Sequence, residues 1–106
     1  MVTATGEVDL TNAGSLRDAL LSALNAGALG LVVDMTATTF LDSAGVTALV
    51  RASRRAAATE AALRLAVTAT PVLRVLNLVG IDQLIEVYPS VSDAVASLPE
   101  HRTEPA

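Results

Sequence analysis

The 106-residue chain has no cysteine, no lysine and no tryptophan, and carries one phenylalanine, one tyrosine and one histidine. Without cysteine there is no thiolate nucleophile, no Cys-zinc site and no redox switch, while the compartment is left open on that criterion. The single histidine, His101, falls in the polar stretch 100–106, whose composition is that of a flexible C-terminal tail, so a Ser-His-Asp triad has no segment to hold it. A metal site would have to be all carboxylate, and no loop alternates Asp and Asn as a calcium loop does. No metal or cofactor is expected. A net charge of −4, with Phe40 and Tyr88 as the only aromatics, provides neither a phosphate footprint nor a base-stacking platform. Nucleic acid is therefore not expected as a direct partner. Apolar residues make up 52% of the chain, but alanine supplies much of this and no run is long enough to cross a bilayer, so no membrane role is expected. Residues 1–5 have neither a basic segment nor an apolar core of signal-peptide length, which predicts a cytoplasmic protein.

What is present fits one domain, expected over 1–99, with no repeat or internal linker. Residues 2–8 alternate apolar and polar and predict a strand ending at Asp9-Leu10-Thr11. Thr11 is a plausible cap for a helix that buries Leu16, Leu20, Ala23 and Leu24, with Gly27 and Gly30 bracketing its exit. Residues 31–35 read as a central strand, followed by a polar loop over 36–39. A helix over 44–58 follows, with Val46, Leu49, Val50 and Ser53 on its buried stripe. Residues 63–67 form the third strand. Thr70 caps a short helix that has Pro71 in its first turn and stops at Gly80. Residues 84–88 form the last strand, and Ser90 with Asp93 opens a terminal helix burying Val91, Ala94, Val95 and Leu98, closed by Pro99. The βαβαβαβα order, with connections too long for hairpins, calls for an α/β fold: a largely parallel central sheet packed with about four helices.

In such folds the loops that leave the C-terminal ends of the strands form the functional edge, and Asp9, Asp34 and the Asp42-Ser43 loop are all expected there. Ser43 stands where an apolar run gives way to a helix, which makes it both a candidate cap and an exposed hydroxyl. Amides of the first turn and the helix dipole would stabilise a phosphate placed on it. Spacing alone leaves Ser43 open to a plain capping role and Asp9 to that of a strand-end turn residue. Arg51, Arg54 and Arg55 cluster after Gly45, either as a solvated face or as one that meets an acidic patch on a protein.

The chain resembles the STAS domain family, specifically the stand-alone anti-sigma factor antagonists of bacteria. The resemblance rests on Gly6-Glu7-Val8-Asp9, the strand 31–35, Phe40-Leu41-Asp42-Ser43-Ala44-Gly45-Val46 and Leu76-Asn77-Leu78-Val79-Gly80-Ile81. Asp42 follows Asp9 by 33 positions, and the two motifs together are far more specific than either alone. The resemblance implies that Ser43 is phosphorylated by a partner anti-sigma factor that is itself a serine kinase. It also implies that only the unphosphorylated chain keeps that partner from its sigma factor. Asp9, Asp42, Ser43, Ala44, Gly45 and Arg51 would belong to the partner-binding surface, and the chain would be substrate rather than enzyme. The same family also implies alternatives: a scaffold or transport-complex subunit that is never phosphorylated, or a nucleotide- or anion-binding module. Family members carry a further strand before Gly-Glu-x-Asp, whereas five residues precede Gly6 here. Either the chain has been trimmed, or its start differs, or a neighbouring strand edge is left open and could pair with another molecule; a monomer or weak dimer is expected.

Overall fold

The computed structural model describes residues 1–99; the expected tail over 100–106, His101 included, lies outside the described residues. Its elements run β1 (Val2–Val8), α1 (Ala13–Asn25), β2 (Gly30–Leu41), α2 (Ser43–Ala58), β3 (Ala62–Val67), α3 (Thr70–Leu78), a 3-10 turn (Ile81–Gln83), β4 (Glu86–Tyr88) and α4 (Val91–Ala96). The strands form one sheet in the order β1-β2-β3-β4, and every neighbouring pair is parallel. This is the α/β architecture that the alternating strand and helix periods predict.

Period-two alternation sorts the strand residues onto two faces. Leu31, Val33, Met35, Leu41, Leu63, Leu65 and Val67 join the main core with Leu16, Leu20 and Leu24 of α1, Leu49 of α2 and Val72 and Leu76 of α3. The intervening Val32 and Ala66 form a smaller cluster with Ala94 of α4, flanked by Tyr88, Val91 and Leu98. Val95, expected inside, is exposed. Arg64 of β3, largely buried, binds the C-terminal elements to the sheet: its Nε donates to Ser97 Oγ at 3.1 Å and lies 3.7 Å from a Glu86 carboxylate oxygen. Ser90 caps α4 as expected, its Oγ accepting from the Asp93 amide at 3.1 Å.

The strand expected over 31–35 is longer than its apolar run. The threonine-rich residues 36–39, expected to be a loop, continue β2 and pair with β1. Polarity misleads here because threonine is β-branched and suits a half-buried pleated surface. Thr38 is 1% exposed, and its Oγ1 donates to the Ala4 carbonyl at 2.8 Å. The β1–β2 register slips between Thr3 and Thr5 and again between Gly6 and Glu7, each slip placing one extra residue in β2. Asp34 lies inside β2, not at a strand exit, and accepts from the amide and hydroxyl of Thr36.

Three further expectations are corrected. Thr11 does not cap α1, because its amide and hydroxyl both donate to Asp9 Oδ1, and the helix starts at Ala13. Thr70 does not cap α3 either; it is the first helical residue, Ala69 precedes it in extended conformation, and no side chain caps the turn. The final strand is shorter than 84–88, since Gly80 at φ +79° ends α3 in the left-handed conformation and leads into the 3-10 turn before Glu86.

Thr38→Val removes one buried hydroxyl at nearly constant volume and leaves the Ala4 carbonyl without that donor. Stability is expected to fall by about 1 kcal/mol, read as a lower urea midpoint at unchanged slope.

Candidate functional site

The ends of β1 and β2 are tied side by side, with the Asp42 amide donating to the Val8 carbonyl at 3.1 Å. Asp9 and Asp42 therefore both leave the sheet at the same C-terminal edge, as expected of both. The cap of α2 is Asp42 rather than Ser43: Asp42 Oδ1 accepts from the amides of Ala44 at 2.8 Å and Gly45 at 3.2 Å, and its backbone is extended. Aspartate and serine cap equally well, so the assignment falls to whichever residue still has extended backbone, and Ser43 is already helical. Relieved of capping, Ser43 is an exposed residue on the first turn of a 16-residue helix, and its carbonyl accepts from Thr47 Oγ1 at 2.9 Å.

Gly45 fixes how closely that turn approaches the sheet. It is buried, and a Cβ on it would lie 2.3 Å from Leu41 Cδ1 and 2.9 Å from Val8 Cγ1. Both of those side chains are themselves in the core. The absence of a side chain at position 45 thus lets the N-terminus of α2 rest directly on the ends of β1 and β2. The buried stripe of α2 follows from this contact: Gly45, Ala48, Leu49, Ala52 and Ala56 are buried, whereas Val46, Val50 and Ser53, three of the four expected residues, are only half-buried. Small residues lie under the helix because they admit close packing, and the larger valines flank them.

Asp9 is held in a short hydrogen-bonded loop. Its Oδ1 accepts from the Thr11 hydroxyl and amide, its amide donates to Asn12 Oδ1 at 2.9 Å, and Asn12 Nδ2 donates to the Glu7 carbonyl at 2.7 Å. The Thr11 hydroxyl, more than any other group, holds the Asp9 carboxyl below the usual carboxylate range; the two backbone amides add to this against a small opposing effect of burial. Asp9 is thus a turn residue, and its carboxylate stays ionised at the edge that carries Ser43.

The arginines divide. Arg51 lines a groove between α1 and α2 together with Leu10, Arg17, Ala44 and Thr47. Arg54 is exposed, and Arg55 donates to Asn25 Oδ1 at 2.6 Å, which fastens the end of α2 to the end of α1. Leu49 is fully buried and has no part in the surface. Leu10, at 82% exposure the barest apolar side chain of this edge, was missed by periodicity because it belongs to neither a strand nor a helix. The signal that would have found it is an apolar residue out of phase between Asp9 and Thr11. Among the described residues, no group of three or more His, Asp or Glu side chains could hold a metal, and no helix is long and apolar enough to cross a membrane.

A family model described as STAS domain matches residues 1–94. Among solved structures, the chain is similar to an anti-sigma factor antagonist from Mycobacterium paratuberculosis, at 23% identity and a TM-score of 0.84 over 92% of this chain and 83% of that one. It is similar to the anti-sigma factor antagonist SpoIIAA in its unphosphorylated form, at 18% identity and a TM-score of 0.67 over 89% and 82% of the two chains. It is also similar to a sulfate transporter family protein from Wolinella succinogenes, at 17% identity and a TM-score of 0.72 over 91% and 86%. At these identities the shared property is the fold. Comparison with curated protein sequences gives no match.

Gly45→Ala should cost about 1–3 kcal/mol in overpacking against a gain of up to about 1 kcal/mol in helix propensity. The net loss of about 1 kcal/mol lowers Tm by roughly 4–8 °C, and an unchanged Tm would show that α2 is free to shift. In a carboxyl-carbon NMR titration, Asp9 is expected to titrate below its ordinary value of 3.8. Thr11→Val moves it back up. Because the folded value is the depressed one, the loop gains its full stabilisation above the ordinary value and loses it as pH falls through the lowered one.

Proposed function

Because this chain belongs to the STAS domain family, we propose that it is an anti-sigma factor antagonist. Unmodified, it binds an anti-sigma factor and frees the sigma factor; phosphorylation of Ser43 by that same partner, a serine kinase, ends the binding. The observation that carries this reading is the division of labour at the start of α2. Asp42 supplies the cap, so the Ser43 hydroxyl is exposed and no helix-capping bond has to break when it is modified. The likeness to anti-sigma factor antagonists of the same fold supports it.

The physical effect of a phosphate there is electrostatic. Asp42 already occupies the amides of Ala44 and Gly45, so a phosphate on the neighbouring residue gains from the helix dipole but adds its charge beside an existing carboxylate. An added charge of about −1.5 to −2 acts with roughly 1–3 kcal/mol against an acidic partner surface several ångströms away, at an effective dielectric near 20. This corresponds to about a tenfold to hundredfold loss of affinity. The docking face on this reading runs from Asp9 and Leu10 across Ser43 and Ala44 to Arg51. The chain is substrate in the reaction: its sequence has no P-loop, no glycine-rich phosphate lid and no lysine. Such an exchange belongs in the cytoplasm, where sigma factors act.

The likeness to the sulfate transporter family protein favours a second reading, a STAS subunit of a transport complex that is never phosphorylated. Incubation with the anti-sigma kinases of the source organism and ATP, followed by mass spectrometry, separates the two. The expected outcome is one phosphate on Ser43, absent from Ser43→Ala, with the modified chain binding its kinase about tenfold to hundredfold more weakly. Stable partner binding with no phosphate from any kinase would favour the transport subunit.

A further inference from the structure

We infer that the groove between α1 and α2 is a docking site for an acidic segment of the protein partner, which seats an apolar side chain beside Leu10 and a carboxylate between Arg17 and Arg51. The inference rests on the reading of the Ser43 edge as a partner-binding surface, and it names the chemistry of what binds there. Two matched stripes build the groove. Leu10, Ala13, Gly14 and Arg17 recur at three- and four-residue spacing through the turn before α1 and its first two turns, and Ala44, Thr47, Ala48 and Arg51 repeat that spacing along α2. Ala13 and Ala48 are buried, and the small residues of both stripes leave a space of about 300 Å3 between the helices. Both helices follow parallel strands of one sheet and start at its C-terminal edge. Equal spacing therefore puts Leu10 and Ala44 at the mouth, beside Ser43, and both arginines about two helical turns, or roughly 10 Å, further along.

Charge decides what fills that space. The chain carries a net charge of −4, yet the groove is lined by two guanidinium groups and no carboxylate. Arg17 pairs with its exposed neighbour Asp18 at 3.1 Å, a contact that water screens and that an incoming carboxylate can share. A Cβ on Gly14 would lie 3.7 Å from Arg17 Nη2, so the guanidinium is folded back over that glycine. Arg51 is exposed and pairs with no carboxylate among the described residues. Other arginines have structural tasks, Arg55 at Asn25 and Arg64 at Ser97 and Glu86. Two cations in one groove repel each other until an anion enters between them. Leu10, 82% exposed at the mouth, loses its contact with water only when an apolar group lies against it. A nucleic acid needs many phosphate contacts and is repelled by the rest of this acidic chain, whereas one carboxylate and one apolar side chain about 10 Å apart are what a protein helix presents at positions seven apart. An acidic segment in the groove also gives a phosphate on Ser43 something to repel, because the new charge stands at the mouth.

The test is the affinity of the full chain for each purified anti-sigma factor of the source organism, by isothermal titration calorimetry at about 50 mM and about 300 mM salt. The unmodified chain is expected to bind one of them, and more weakly at the higher salt. Arg17→Glu/Arg51→Glu should weaken that binding at least about tenfold and Leu10→Ser at least about threefold. Arg54→Glu/Arg74→Glu makes the same change of net charge at exposed positions outside the groove, and should leave the affinity within about twofold. Arg17→Gln/Arg51→Gln removes the two charges without reversing them, should weaken binding at least about fivefold, and decides the matter if the reversed variant does not fold. Equal losses in the two reversed variants overturn the docking site, since net charge alone would account for them. So does unchanged affinity in the groove variants while phosphorylation of Ser43 still ends the binding, a result that leaves the reading of Ser43 standing. An unmodified chain that binds no anti-sigma factor overturns that reading, and this inference with it.

Discussion

The missing side chain at position 45 is the constraint on which the candidate site depends. Because nothing projects from Gly45, the first turn of α2 rests on Leu41 and Val8, the last apolar residues of the two strands that end at this edge. The Asp42 amide can then reach the Val8 carbonyl, and the Asp42 carboxylate is left over the open amides of the turn. Strand pairing, helix capping and the placement of Ser43 are one arrangement rather than three. A larger residue at 45 would lift the helix and alter all of them together.

That arrangement also explains which parts of the architecture could be read from residues alone. The strand β1 and the helix α1 are legible because their periods are carried by large side chains: Val2, Ala4 and Val8 at alternate positions, Leu16, Leu20 and Leu24 one turn apart. The stripe of α2 is harder to read because its buried members are glycine and alanine, which weigh little on any hydropathy scale although they determine how closely the helix packs. The second half of β2 is hidden for a different reason. Thr36 and Thr38 look like loop residues, yet they belong to a strand whose pairing with β1 depends on a residue more than thirty positions away. Local sequence does not hold that partner.

At the candidate site, the identity of the edge was legible and its internal roles were not. Asp9, Asp42 and Ser43 could be placed on one side of the sheet by topology, because all three follow strand ends in a parallel fold. Which of two adjacent good capping residues caps the helix is decided by a single backbone angle, and sequence patterns are silent at that resolution. The groove that joins Leu10 to Arg51 requires α1 and α2 to be packed first. It is a product of tertiary structure, with only an out-of-phase leucine to announce it.

Arg64 has a consequence for the motions of the molecule. Strand β4 has three residues and helix α4 six, so neither could persist by itself, and the arginine that reaches Glu86 and Ser97 adds a side-chain tether to the short ladder that pairs β4 with β3. Short elements held in this way are the kind that open locally at a free energy below that of global unfolding, so their amides are expected to exchange before those of α1, α2 and the strands between them. The edge bearing Asp9 and Ser43 is built from β1, β2 and α2 and lies outside that region, so local opening at β4 and α4 would leave its shape intact.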